Sequence, residues 1–171
     1  MVTGIIDVGG GYRDIFGAGV LDGLLKAEQQ FDRCYGISAG SGNLTSFLAG
    51  QYKRNYRFYM EYAFRHRYAS MRNLLTTRNF VGLDYAYGTL SNSDGEYPLN
   101  YEAFAANPAE FTVVASNALT GQPEYFSKEH MHQDDYSIIM ASSCVPVANK
   151  PMQIDNVPFY DGGITDPIPV Q

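Results

Sequence analysis

The sequence predicts one α/β domain with a mostly parallel sheet. Short apolar runs bounded by glycine alternate with segments of helical periodicity, which is the pattern of strands joined by crossover helices. The chain has 171 residues, of which 45% are hydrophobic and 18% are charged, so it can bury one sizeable core and has the composition of a globular protein. We therefore expect residues 1–171 to form a single domain.

The N-terminal half supplies two units in which a strand, a glycine-containing turn and a helix follow one another. The apolar runs TGIIDV and RCYGI have the length and the glycine content of buried strands. In the first helix, Phe16, Val20 and Leu24 share one apolar face, with Leu21 and Leu25 beside it. The predicted elements are strands over 3–8 and 33–37 and helices over 15–30 and 39–51.

The C-terminal half is expected to complete the sheet. The segment GTLSNSDGEYPLN (88–100) is rich in turn residues and predicts a loop. A helix should begin at Asp134 or Asp135 and end before Pro146. The predicted elements are helices over 52–68 and 134–145, strands over 110–118 and 123–127, and a last strand that runs into the turn at 161–163.

The apolar runs, the N-terminal residues and the cysteines indicate where in the cell the protein is located. No apolar run approaches the roughly 20 residues that span a bilayer, and residues 1–8 lack the basic start and long apolar stretch of a signal peptide. Cys34 and Cys144 lie among apolar neighbours and outside any CxxC pair, so we interpret them as buried free thiols in a reducing compartment rather than as a disulfide. The cytoplasm is therefore the expected location, with or without peripheral attachment to a membrane.

Charge is distributed unevenly along the chain. The formal net charge is −6, yet seven of the twelve basic residues lie between Lys53 and Arg78, where Glu61 is the only acidic residue. An acidic body with one basic, aromatic segment argues against nucleic-acid binding and allows a local contact with an anionic membrane surface. The alternative for this basic segment (53–78) is a solvated helix face.

Ser38 stands in the sequence Gly-x-Ser-x-Gly, between a predicted strand and a predicted helix. Gly36 and Gly40 would let the backbone turn sharply and lift the hydroxyl clear of the sheet, as in a nucleophile elbow. The helix that begins at Ala39 would direct its N-terminal amides at an oxyanion formed there. The alternative is a serine that caps this helix.

Three consecutive glycines, Gly9, Gly10 and Gly11, separate the first strand from the first helix. A dinucleotide fingerprint would require glycine where Asp14 stands, or Asp22 in the second frame, and no Gly-Lys-Ser/Thr phosphate loop occurs. A nucleotide-binding domain is therefore disfavoured. The remaining interpretation is an oxyanion hole for acyl transfer, with the nearby Arg13 orienting the loop.

A serine nucleophile needs a base, and the three histidines are poor candidates. His66 lies in the basic segment, while His130 and His132 precede a helix and should face solvent, with a metal-binding His-x-His pair as the alternative. No histidine follows His132, so the Ser-acid-His order of α/β-hydrolases is absent. The remaining base is Asp161, whose alternative role is to start a turn before the next two glycines.

Four segments in this order resemble the patatin-like phospholipase family: GGGYR (9–13), GISAG (36–40), ASSCVPV (141–147) and DGGITDPIPV (161–170). The stretches SNSDGE and ASNALTGQPEYFS are similar to its bacterial branch. The resemblance spans nearly the whole chain and implies a three-layer α/β/α fold with a mostly parallel central sheet. It also implies hydrolysis of fatty-acyl esters through a Ser-Asp dyad, and we expect no cofactor and no metal ion.

Carried over residue by residue, the resemblance makes Ser38 the nucleophile and Asp161 its base. The backbone amides of the three loop glycines become the oxyanion hole. Arg13 supports the oxyanion loop, which consists of Gly9, Gly10 and Gly11. Two further pairs of glycines shape the backbone of the site: Gly36 and Gly40 at the elbow, and Gly162 and Gly163 at the turn. The family usually has a further glycine where Asp14 stands, and this departure can alter the loop.

Family members continue past the Asp-Gly-Gly turn, whereas this chain stops at Gln171, so we expect the N-terminal and central part of a longer protein. In a parallel sheet, the strand before Asp161 should feed a crossover helix, which Pro167 and Pro169 forbid. Apolar sheet surface should then stay uncovered and favour self-association. The competing function is a catalytically weak or inactive relative that binds lipid or a partner.

Overall fold

The computed structural model describes residues 1–170 as one six-stranded mixed sheet flanked by helices. The strands are β1 (Gly4–Asp7), β2 (Arg33–Ile37), β3 (Glu110–Asn117), β4 (Pro123–Ser127), β5 (Met152–Ile154) and β6 (Val157–Asp161). The helices are α1 (Ile15–Lys26), α2 (Ala39–Leu48), α3 (Arg54–Arg57), α4 (Met71–Thr77), α5 (Tyr101–Ala106) and α6 (Ser137–Ser142). A π-helix (Phe58–Tyr62) continues α3, and a second one covers Asp84–Leu90.

The sheet confirms the predicted α/β class. Strands β1, β2 and β3 are parallel neighbours, β4 and β6 run antiparallel to β3, and β5 runs antiparallel to β6. Four of the six strands therefore share one direction, and the sheet is mostly parallel. The two strand–turn–helix units predicted for the N-terminal half are both present.

Strand β3 determines where the ends of its neighbours meet. Val114 pairs with Ile37 of β2, the next residue Ala115 pairs with Asp161 of β6, and β4 lies along the opposite edge over both positions. Strands β2 and β6 therefore occupy the same edge of β3 and meet end to end. The residues that follow Ile37 and the last residue of β6 are thus brought to one point.

The expectation that a parallel strand precedes Asp161 is wrong. Strand β6 is antiparallel to β3, and it is also antiparallel to β5, to which a two-residue hairpin at Asp155 and Asn156, both with positive φ, connects it. The chain after Asp161 forms a short 3₁₀ turn (Gly162–Ile164) rather than a crossover helix.

The core lies between the sheet and α2, a helix buried along nearly its whole length. Helix α1 buries Ala18 and Leu21, whereas Phe16 is 80% exposed and Val20 is also exposed. The apolar face that contains Phe16 and Val20 therefore points largely to solvent within residues 1–170. The buried side of α1 instead contains Ala18, whose small side chain lets α1 pack closely against α2.

Several short elements differ from the sequence-based expectation. The helix predicted over 134–145 is shorter because Asp134 has a left-handed backbone conformation, and α6 begins only at Ser137. The predicted loop 88–100 begins inside the second π-helix. Helices α4 and α5 and strand β5 have no counterpart in the prediction, since they are too short to carry a clear periodic pattern.

Cys34 and Cys144 are both buried free thiols, as predicted. Burial raises the pKa of each thiol to about 11, so both are poorly reactive at neutral pH. Within residues 1–170, none of the helices combines the length and the apolar character that crossing a bilayer requires.

Candidate active site

Ser38 lies on the tight turn between β2 and α2. Its backbone has φ 54° and ψ −133°, a combination that non-glycine residues rarely adopt. The turn leaves the side chain half-buried rather than enclosed in the sheet. This is the conformation of a nucleophile elbow, in which strain presents the hydroxyl at the end of a strand.

Gly36 and Gly40 permit the close approach of chain segments at this elbow. A Cβ atom on Gly36 would lie 2.5 Å from Ser41 Cα, and one on Gly40 would lie 2.2 Å from the carbonyl oxygen of Asp7. Both neighbours are backbone atoms, which cannot move without shifting α2 or β1. The two glycines of the motif are therefore required for packing at the start of α2.

Ser38 and Asp161 are hydrogen-bonded. Ser38 Oγ donates to Asp161 Oδ2 at 2.6 Å, and the N–H of Gly163 donates to Asp161 Oδ1 at 2.9 Å. Asp161 is buried, and burial raises the pKa of its carboxyl group above its ordinary value, while the two hydrogen bonds lower it. Position 162 requires glycine, because a Cβ atom there would lie 2.1 Å from the Val114 carbonyl oxygen.

Ser142, at the end of α6, is hydrogen-bonded to the backbone of Ser38. The N–H of Ser38 donates to Ser142 Oγ at 2.8 Å, and this hydroxyl in turn donates to the Val114 carbonyl at 2.6 Å. Ser142 is fully buried. Sequence reasoning assigned it no role, although it lies in ASSCVPV, one of the segments that carry the family resemblance.

The glycine loop lies beside Ser38. Gly9, Gly10 and Gly11 all have positive φ, and a Cβ on Gly9 would lie 2.9 Å from the Ser38 Cβ. The N–H of Gly9 donates to Asp7 Oδ1 at 3.1 Å. Among residues 1–170, no acceptor takes a hydrogen bond from the N–H of Gly10 or Gly11, so these two amides are available to a bound group.

Arg13 and Asp14 follow this loop and lie in opposite environments. Arg13 is exposed, and within the described chain its guanidinium forms no ion pair or hydrogen bond that would support the loop. Asp14 is only 6% exposed and accepts a hydrogen bond from Asn43 Nδ2 at 2.8 Å. Asp14, which stands where the family resemblance implies a glycine, is therefore inside the molecule.

The histidines lie outside this arrangement. His66 and His132 are exposed, and His130 Nδ1 lies 3.1 Å from Ser127 Oγ. None of the three hydrogen-bonds to Ser38 or Asp161. In the described part of the chain, no three or more His, Cys, Asp or Glu side chains are grouped so that they could hold a metal ion.

The basic segment is less cationic at its surface than its composition indicates. Arg54 is buried and donates to hydroxyl and main-chain oxygens. Arg57 pairs with Glu61 at 2.9 Å, and Arg65 forms a bidentate pair with Glu96. Within residues 1–170, the exposed basic residues of the segment that form no ion pair are Lys53, Arg67, Arg72 and Arg78.

Comparisons with known proteins agree with these observations. The sequence model of a family described as patatin-like phospholipase matches residues 8–171. The chain is 29% identical over 168 residues to the uncharacterized protein YjjU of Escherichia coli (strain K12). This alignment covers 95% of the chain but 46% of the relative, so the chain spans about half the length of the curated relative that it matches.

Proposed function

The chain belongs to the patatin-like phospholipase family, and from this premise we propose that it hydrolyses fatty-acyl esters through an acyl-enzyme formed on Ser38. The observation that carries the proposal is the 2.6 Å hydrogen bond from Ser38 Oγ to Asp161 Oδ2, made by a serine in a strained elbow conformation. A hydroxyl that only caps a helix would donate or accept locally, whereas this one faces a buried carboxylate from a distant strand.

In the first step, Ser38 Oγ attacks the ester carbonyl carbon while Asp161 accepts the hydroxyl proton. The carbonyl oxygen becomes an oxyanion in the tetrahedral intermediate. The free amides of Gly10 and Gly11 are suited to stabilise it, whereas the amide of Gly9 already donates to Asp7. The intermediate collapses as the alcohol leaves with the proton from Asp161, and the acyl group stays on Ser38.

In the second step, water attacks the acyl-enzyme and gives up a proton to Asp161. Collapse of the second tetrahedral intermediate breaks the bond to Ser38 Oγ, which recovers its proton, and the fatty acid is released. A carboxylate is a weak base for a hydroxyl group. Burial of Asp161 raises the pKa of this carboxyl and makes it a stronger base.

We further propose that the lipid substrate is reached at an apolar surface formed by Tyr56, Met60 and Phe64. These side chains are spaced four residues apart and are all exposed. Tyr12, directly after the glycine loop, packs edge-on against Phe64 with ring centroids 5.7 Å apart, so the surface adjoins the candidate site. The unpaired cations of the basic segment would add attraction to anionic lipid.

A fluorophosphonate probe tests the proposal most directly because it labels an activated serine. We expect labelling of the protein and of a Ser93→Ala control, which alters an exposed serine outside the site, and no labelling of Ser38→Ala. Hydrolysis of a short-chain p-nitrophenyl ester should follow the same order. Equal labelling of all three proteins would assign the reaction to another residue and contradict a Ser38 nucleophile. Absence of labelling in all three would favour a non-catalytic lipid- or partner-binding domain.

A further inference from the structure

Two carboxyl groups lie together next to the glycine loop. Asp7 ends β1, and Asp14 ends the 3₁₀ turn that follows the loop. Asn43 of α2 donates from one amide nitrogen to Asp14 Oδ2 at 2.8 Å and to Asp7 Oδ2 at 3.5 Å. A Cβ on Gly17 would lie 2.4 Å from Asp14 Oδ1 and 3.2 Å from Asp7 Oδ2, so both carboxyl groups face the same small space.

No positive charge compensates this pair. Among residues 1–170, no lysine or arginine forms an ion pair with either carboxyl group. The neutral groups near Asp14 are the Asn43 amide and the phenols of Tyr59 and Tyr87. The nearest cation in the chain, Arg13, lines the same cavity but is exposed and pairs with neither carboxyl group. Burial and the charge of Asp7 raise the pKa of Asp14 to about 8, and burial also raises the pKa of Asp7. A buried carboxyl beside a half-buried one, with no cation paired to either, favours binding one proton between them.

The pair is connected directly to the site. Asp7 Oδ1 accepts the N–H of Gly9, the loop residue that lies against Ser38. The backbone carbonyl of Asp7 also lies against Gly40, in the first turn of the helix that begins after the nucleophile. Asp7 therefore contacts both the oxyanion loop and the elbow, and Asp14 contacts Asp7.

We propose that Asp7 and Asp14 are positioning residues that share one proton and thereby hold the glycine loop in place beside Ser38. The shared proton lets Asp14 donate a hydrogen bond to Asp7, while Asp7 remains an acceptor for Gly9. Removal of the proton leaves two negative charges in one confined space. Their repulsion displaces Asp7, and with it Gly9, and their field opposes formation of an oxyanion.

The existence of the shared proton can be measured without turnover. Carbon-13 NMR of the aspartate carboxyls, followed against pH, should show one group that titrates near pH 8 and that is absent in Asp14→Asn. The variant Asp161→Asn identifies the signal of the catalytic-site carboxylate, which is also shifted upward. Titration of Asp7 and Asp14 both in the ordinary acidic range would overturn the proposal, whether or not the protein hydrolyses esters.

The positioning role rests on the proposed function and is tested by the pH dependence of kcat. The unchanged protein should lose activity by about tenfold per pH unit above about pH 8. Asp14→Asn should keep its activity at alkaline pH, because its amide can donate to Asp7 at any pH. Asp7→Asn serves as the second variant, since it leaves one ionisable group and still offers an oxygen to Gly9.

Rates measured with Ser38→Ala are subtracted to remove spontaneous ester hydrolysis at high pH. Thermal unfolding shows which variants are folded at each pH. An alkaline decline that is the same in the unchanged protein and in whichever of the two variants folds would overturn the positioning role. Absence of turnover in every protein, together with an NMR titration near pH 8, would refute the proposed function and leave the shared proton established.

Discussion

Ser38 Oγ and Asp161 Oδ2 are 2.6 Å apart although 123 residues separate them in the chain. The distance follows from strand register, because β2 and β6 end against adjacent residues of β3, Val114 and Ala115. The two side chains therefore leave the sheet at the same point. Their contact depends on the antiparallel pairing of β6 with β3.

The first prediction concerns Asp161→Asn. The amide keeps a similar shape but cannot accept the Ser38 proton, so kcat should fall by about 10²–10⁴-fold with little change in thermal stability. Steady-state hydrolysis of a short-chain ester measures the effect. Unchanged turnover would exclude Asp161 as the base and direct attention to His130 and His132.

The second prediction concerns activity at acidic pH. Asp161 accepts a proton only when it is ionised, and burial raises the pKa of this carboxyl. Activity should therefore decrease as the pH falls through this raised pKa, at a higher pH than an exposed aspartate would give. A kcat profile between pH 4 and pH 7 measures the midpoint, and a midpoint at or below the usual aspartate value would contradict the raised pKa of Asp161.

The third prediction concerns stability at alkaline pH. The folded-state pKa of Asp14 is about 8, above its ordinary value of 3.8, so the folded protein retains a proton that the unfolded chain releases. The free energy of unfolding should therefore decline as the pH rises above about 4, and the loss should be complete once the pH has passed about 8. Denaturant unfolding measures it, and Asp14→Asn should show a smaller decline over the same range.

The fourth prediction compares two glycine substitutions. Gly36→Ala places a Cβ 2.5 Å from Ser41 Cα and should destabilise the protein by about 1–3 kcal/mol or prevent folding. Gly19→Ala is the matched control, because its Cβ meets nothing within 4 Å on an exposed part of α1. This change should stabilise the protein by about 0.5–1 kcal/mol through helix propensity. Equal effects of the two substitutions would show that the close approach at Gly36 is not required.

The fifth prediction concerns lipid contact. Phe64→Asp should weaken binding to anionic vesicles, whereas Leu119→Asp, an exposed apolar residue in the β3–β4 hairpin, should not. Arg72→Glu should weaken binding more at low salt than at high salt, because attraction of a surface cation to anionic lipid is about 1 kcal/mol and is screened. Co-sedimentation with phosphatidylserine vesicles measures all three. Binding that ignores both salt and lipid charge would mean that the basic segment is only a solvated surface.

The sequence by itself determined the local features of this protein. Short apolar runs next to glycine identified β1 and β2, and the Gly-x-Ser-x-Gly pattern identified the turn at Ser38, because steric limits on the backbone act over a few residues. Burial of both cysteines also followed from their apolar neighbours. Arrangements of this kind depend on residues close together in the chain.

The tertiary structure alone decided which side chains meet. The register on β3 brings Asp161 to Ser38, a pairing that the family resemblance implied but that local patterns did not specify. Packing of α6 places Ser142 against the backbone of Ser38, and the turn after the glycine loop places Asp14 against Asp7. The same long-range packing buries or pairs three arginines that composition counts as surface charge. Local periodicity cannot specify these contacts, because burial, pKa and charge pairing depend on neighbours that only the folded chain supplies.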